Sequence, residues 1–179
     1  FKKILKKNSN IVLDKTIKQF NLLKKIAVKR NLKLIEISKI IEKINNINLN
    51  TDIDFKVKNL AMAIAAAKLC GLKDSEIYEL LKEVKGVDGR LELSKRFTNN
   101  VKVFIDYAHT PDALMKTLQS LEKKYGKNIS LVFGCGGERD KKKRPLMAKV
   151  ANNFSRKIYV TDDNPRNEDP KQIRNELVK

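Results

Sequence analysis

Apolar residues near the start of the chain recur at a helical spacing. Ile17, Phe20, Leu22, Leu23, Ile26 and Ala27 predict an amphipathic helix over 14–30, opening at Asp14. Leu32 to Ile37 reads as a short strand, and the Ile- and Asn-rich stretch 38–54 as strand and turn in a peripheral sheet. From Asn59 the run NLAMAIAAAKLC is almost wholly small or apolar, which suits a helix buried against neighbours and stopped by Gly71. Asp74-Ser75-Glu76 opens another helix that reaches Lys85, and Gly86 to Gly89 break the pattern.

Beyond that break the rhythm changes. Leu91 to Phe97 alternates apolar and polar, Asn99-Asn100 marks a turn, and Val101 to Ile105 is a buried-type strand. Thr110-Pro111-Asp112 supplies a cap, a first-turn proline and a first-turn acid for a helix to Tyr125. Ile129–Phe133 and Lys157–Thr161 then read as strands, with helices over Pro145–Phe154 and from Pro170 onward. Strands alternating with helices of this length predict βαβ units and a mostly parallel sheet. Two domains therefore meet near Val87, over 1–86 and 87–179.

Composition narrows the function. The 179 residues carry a formal charge of +18, which invites a polyanion partner. Only 8 of the 39 basic residues are Arg, however, and the excess is even, +10 over 1–86 and +8 over 87–179. Lysines on solvated faces describe this better than a specific nucleic-acid surface, which would concentrate Arg and stacking aromatics. Cys70 and Cys135 stand far apart without His or Cys neighbours, which excludes a disulfide framework and a zinc site and points to a reducing cytoplasm. No apolar run is long enough to insert in a membrane. The absent initiator Met and an end within a helical pattern lead to the expectation of a fragment of a longer chain.

In open parallel α/β sheets ligands gather at the carboxyl ends of strands. The segments after Ile105, Phe133 and Thr161 are Asp106-Tyr107-Ala108-His109, Gly134-Cys135-Gly136-Gly137-Glu138-Arg139-Asp140 and Asp162-Asp163-Asn164-Pro165-Arg166. Asp106 suits either a sugar hydroxyl or a helix cap. His109, the one histidine, suits either proton or phosphate chemistry or a structural hydrogen bond. The glycine run lacks the spacing of a phosphate-binding loop, so a tight turn is its default reading. Asp163, Asn164, Pro165 and Arg166 combine acceptor, amide and guanidinium fork, a set able to hold both ends of an amino acid, or else form a turn with a solvent-facing Arg.

The strings GRLE, DYAHTPDAL, VFGCGGERDKKKRPLM and VTDDNPRNEDP, in this order, resemble the Mur ligases, and FKVKNLAMA upstream looks like the end of that family's central ATPase domain. The resemblance implies an α/β protein, the end of a central ATPase α/β domain followed by a Rossmann-like C-terminal domain. It implies ATP contacts from Asn59 at the adenine, Arg90 at the phosphates, Asp106 at the ribose and His109 in the same loop. It also implies amino-acid recognition by Arg139, Asp163, Asn164, Pro165 and Arg166, in the form seen in members that add meso-2,6-diaminopimelate to UDP-MurNAc-L-Ala-D-Glu. The implied cofactors are ATP and Mg²⁺. Diaminopimelate carries a distal carboxylate that lysine lacks, and Arg139 with Arg166 can pair with it.

The family's phosphate-binding loop, Mg²⁺-binding acid, modified lysine and UDP-binding domain have no counterpart in these strings, and its Gly-Lys-Gly-His-Glu segment would follow Lys179. The chain alone is therefore expected not to catalyse. Glu138 stands where the family usually has Asp. The alternative readings are a lysine-adding or folate-type ligase of the same superfamily, or a basic nucleic-acid-binding module.

Overall fold

A computed structural model describes residues 6, 8–47, 54–84 and 86–178. The chain divides into two compact units, 1–85 and 86–179. In the first, β1 (Asn10–Leu13), α1 (Phe20–Lys29), β2 (Lys33–Glu36), α2 (Ser38–Asn45), α3 (Asp54–Leu69) and α4 (Asp74–Leu80) follow one another. β1 and β2 pair in parallel, with Asn10 opposite Lys33.

Several boundaries differ from those expected. The first helix begins at Phe20 rather than Asp14, because the Asp14 carboxylate accepts both the N–H and the hydroxyl of Thr16, each at 2.8 Å, and folds that stretch into a turn. Asp14 is buried and pairs with Lys58 of α3 at 2.7 Å. Burial pushes its carboxyl up, but the hydrogen bonds from Lys58 and Thr16 outweigh that and leave it below its ordinary value. The strand and turn expected over 38–54 is instead helix over Ser38–Asn45, where Ile40 and Ile44, four residues apart, share a buried face. Residues 48–53 of that stretch lie outside the described residues. α3 starts at Asp54, ahead of Asn59, and α4 ends at Leu80 instead of reaching Lys85, which is itself outside the described residues.

The second unit contains β3 (Glu92–Arg96), β4 (Lys102–Ile105), α5 (Pro111–Tyr125), β5 (Ser130–Phe133), α6 (Lys143–Phe154), β6 (Lys157–Val160) and α7 (Pro170–Val178). β3 and β4 form an antiparallel hairpin with an irregularity between Leu93 and Lys95. β5 and β6 pair in parallel, Ser130 opposite Lys157 through Phe133 opposite Val160. The architecture is α/β, with two of the three strand pairs parallel among the described residues. α6 begins two residues before Pro145; the proline still falls in the first turn, where its missing N–H leaves no bond unmade.

The core of this unit gathers Leu114 and Leu118 of α5, Met147 of α6, Ile173 and Leu177 of α7, and Cys135. Burial raises the Cys135 thiol, and its Sγ lies 3.7 Å from Met147 Sδ, so it packs as a small apolar group. Leu131, Phe133 and Val160 pack against this cluster, whereas Val132 and Tyr159 on the opposite strand face are exposed.

Candidate functional site

The carboxyl ends of β5 and β6 lie side by side because the strands are parallel and in register, with Thr161 N–H donating to the Phe133 carbonyl at 3.0 Å. The two loops leaving them are therefore pressed together. A Cβ on Gly134 would collide with the Thr161 carbonyl oxygen, and one on Gly137 would overlap the Pro165 carbonyl. Gly137 N–H donates to the Asn164 carbonyl at 2.9 Å. The glycine run is thus a close-packed loop whose missing side chains let the second loop approach.

In the loop after β6, Asn164 N–H donates to Asp163 Oδ1 at 2.7 Å and Arg166 N–H to Asn164 Oδ1 at 3.2 Å. Arg166 adopts a left-handed backbone, φ 51°, and its guanidinium donates to the Gly137 carbonyl. One fork position is thereby spent on the neighbouring loop, while the exposed remainder keeps donors for a ligand. Asp163 and Asn164 are exposed on the same turn and Pro165 is half-buried beneath them. Arg139, on the facing loop, is exposed and has no hydrogen bond or ion pair among the described residues. The structure thus brings the Asp163–Arg166 turn against the loop that carries Arg139.

A second group surrounds the end of β4. Asp106 Oδ1 accepts from Ala108 N–H and from the Thr117 hydroxyl, both at 3.0 Å, and Oδ2 accepts from Leu91 N–H at 2.7 Å. Asp106 is therefore not the helix cap: Thr110 is, its Oγ1 accepting from Ala113 N–H at 3.3 Å. A carboxylate offers about four acceptor positions. Three are filled, and one on Oδ2 remains for a hydroxyl donor. Arg90 stacks its guanidinium 4.6 Å from the exposed Tyr107 ring, and His109 meets that ring edge-on at 5.5 Å. His109 Nδ1 lies 3.1 Å from the Tyr107 carbonyl, and its own carbonyl accepts from Lys143 Nζ at 2.8 Å. Arg90, Asp106 and His109 thus share one surface. Asn59 lies exposed on α3 of the first unit.

Sequence reasoning missed the most heavily engaged cation. Arg144, in the first turn of α6, is 1% exposed and bonds Glu168, Glu176 and the Gly136 carbonyl. It sits in the run Lys141-Lys142-Lys143-Arg144, which reads as one more basic stretch. The available signal was spacing: Arg144, Met147 and Ala151 fall at i, i+3 and i+7 of one helix face, all three buried.

Residues 89–179 match the model of the Mur ligase glutamate ligase domain. A UDP-N-acetylmuramoyl-L-alanyl-D-glutamate–2,6-diaminopimelate ligase of Rickettsia typhi is 47% identical over 141 residues, 75% of this chain and 28% of the relative. The ligase of the same name from Lactiplantibacillus plantarum is 45% identical over 124 residues, 69% of this chain and 25% of that one. Among solved structures, a UDP-N-acetylmuramate-alanine ligase from Thermotoga maritima overlays with a TM-score of 0.54 at 25% identity, covering 73% of this chain and 28% of that one. The chain spans little more than a quarter of the length of these relatives.

Proposed function

Because the chain belongs to the Mur ligase family, matched through the glutamate ligase domain, we propose that it forms part of an ATP-dependent ligase that adds meso-2,6-diaminopimelate to UDP-MurNAc-L-Ala-D-Glu in peptidoglycan precursor synthesis. In this reading residues 1–86 are the C-terminal part of the central ATP-binding domain and 87–179 belong to the amino-acid-binding domain. ATP transfers its γ-phosphoryl group to the acceptor carboxylate, giving an acyl phosphate and ADP. The neutral diaminopimelate amine attacks the acyl carbon and gives up a proton to solvent, the carbon–oxygen bond to phosphate breaks, and inorganic phosphate leaves with its electron pair. Mg²⁺ supplies charge compensation for the phosphates in such chemistry. Among the described residues no three His, Cys, Asp or Glu side chains cluster as a metal site, so no residue of this chain is assigned to the ion.

The surface of Arg90, Asp106 and His109 faces the nucleotide in this reading, with the open position of Asp106 Oδ2 taking a ribose hydroxyl and Arg90 paired with phosphate oxygens. Arg139 and Arg166 pair with the distal carboxylate of diaminopimelate, and Asp163 with Asn164 takes its ammonium. The observation that carries the assignment is the turn Asp163–Arg166, an acceptor, an amide and a fork held against the Arg139 loop by the Gly137–Asn164 hydrogen bond. Free thiols at Cys70 and Cys135 suit a reducing cytoplasm, and among the described residues no helix is long and apolar enough to cross a membrane.

Titration of isotope-labelled chain with meso-2,6-diaminopimelate and, separately, L-lysine tests the reading. Amide signals of Arg139, Asp163, Asn164 and Arg166 are expected to move with diaminopimelate and not with an equal concentration of lysine, and Arg166→Ala abolishes the response. An equal response to both amino acids favours a lysine-adding ligase, and silence toward both overturns the assignment.

A further inference from the structure

Arg144 is the bulkiest fully buried side chain among the described residues, and a buried guanidinium persists only where its donors are met. Its Nη1 donates to Glu168 Oε2 at 3.1 Å and to Glu176 Oε2 at 2.8 Å. Its Nη2 donates to both Glu168 oxygens at 3.1 Å and to the Gly136 carbonyl at 3.3 Å. Glu168 in turn accepts from Glu138 N–H at 2.5 Å and pairs with Lys141 at 3.0 Å. Glu138 Oε1 accepts from Asn167 Nδ2 at 2.6 Å. One guanidinium thus ties α6 to α7, to the loop after β5 through Gly136, and to the loop after β6 through Glu168.

Those two loops hold left-handed, non-glycine residues, Glu138 and Arg166, each with φ 51°. Such conformations persist where surrounding bonds over-determine them. Arg139 follows Glu138 directly, and Arg166 lies two residues before Glu168. We infer that Arg144 is a positioning residue for amino-acid recognition, setting through Glu168 and the Gly136 carbonyl the spacing at which Arg139 and Arg166 are presented. It is too deeply buried to touch the amino acid itself. The inference rests on the diaminopimelate reading above, which it extends by one residue.

Two measurements on the same 179-residue chain separate the inference from that reading. The first needs no ligand: in Arg144→Met, amide hydrogen exchange at Gly137 and Glu138 is expected to accelerate, while amides in the middle of α5 keep their protection. The second is meso-2,6-diaminopimelate binding, expected to weaken by about tenfold or more in Arg144→Met, as misplacement at a distance does. Arg144→Lys, which keeps the charge without the fork, recovers only part. If Arg144→Met fails to fold, Glu168→Gln takes its place with a smaller loss in the same direction. Unchanged loop exchange, or a lower melting temperature with unchanged diaminopimelate affinity, overturns the positioning role and leaves the ligase reading intact. Accelerated exchange in Arg144→Met beside a parent chain that binds no diaminopimelate overturns both the ligase reading and the role assigned to Arg144 in it.

Discussion

A β-carbon at Gly137 would stand 2.6 Å from the Pro165 carbonyl carbon, a rigid backbone neighbour with no route of retreat, whereas one at Gly86 meets nothing within 4 Å. Gly137→Ala is therefore expected to destabilise the chain by about 1–3 kcal/mol, the usual range for overpacking. Thermal denaturation should show a lowered Tm for Gly137→Ala beside an unchanged one for Gly86→Ala. Glu168 gives a prediction with a sign. The Arg144 guanidinium, then the Glu138 N–H and Lys141, hold its carboxyl down to about 2 from an ordinary 4.5. On acidification the unfolded chain takes up that proton first, so the contribution to stability is complete above pH 4.5 and is lost as pH falls toward 2. Glu168→Gln should accordingly be less stable than the parent at neutral pH, with the gap in denaturant midpoint closing below pH 4.5. At this scale the sequence was legible where residue types were unusual together, as in Asp163-Asn164-Pro165-Arg166. It was opaque at Arg144, because burial of a cation leaves no mark on a string of basic residues.

Among the elements, those whose ends carry chemical punctuation were legible. Thr110, Pro111 and Asp112 announce α5, and its observed start at Pro111 agrees with them. Thr110→Ala removes an acceptor from Ala113 N–H and is expected to lower stability by about 1 kcal/mol, measured by chemical denaturation, with Thr110→Ser largely sparing it. Elements without such marks went astray. The Ile- and Asn-rich stretch that holds α2 reads as strand and turn, yet the four-residue interval between Ile40 and Ile44 lets both sink into one core with Ile37 and Ala61. β1 has four residues, too few for a period to register, and is defined by its partner β2. The start of α1 moved because Asp14, which resembles a cap, is engaged by Thr16 and by Lys58 from a distant helix. Tertiary partners decided each of these cases, and no local window contains them.

Over the whole chain, the net charge of +18 says least about function, and the informative features are loops that meet only after folding. The sequence placed strand ends near Ile105, Phe133 and Thr161, and β4, β5 and β6 end at Ile105, Phe133 and Val160, within the part of the chain that the family match over 89–179 covers. What it left out is the bracing: Asp106 fastening Leu91 to Thr117, Lys143 reaching the His109 carbonyl, and Gly137 seated on Pro165. That last contact bears on engineering. Because the two loops occupy each other's space down to single atoms, neither can be lengthened, shortened or exchanged alone. If the loops set amino-acid preference as proposed, changing it by transplantation would have to move 134–144 and 161–168 as one cassette, glycines, Arg144 and Glu168 together, since half of it would arrive without the surface it is shaped against.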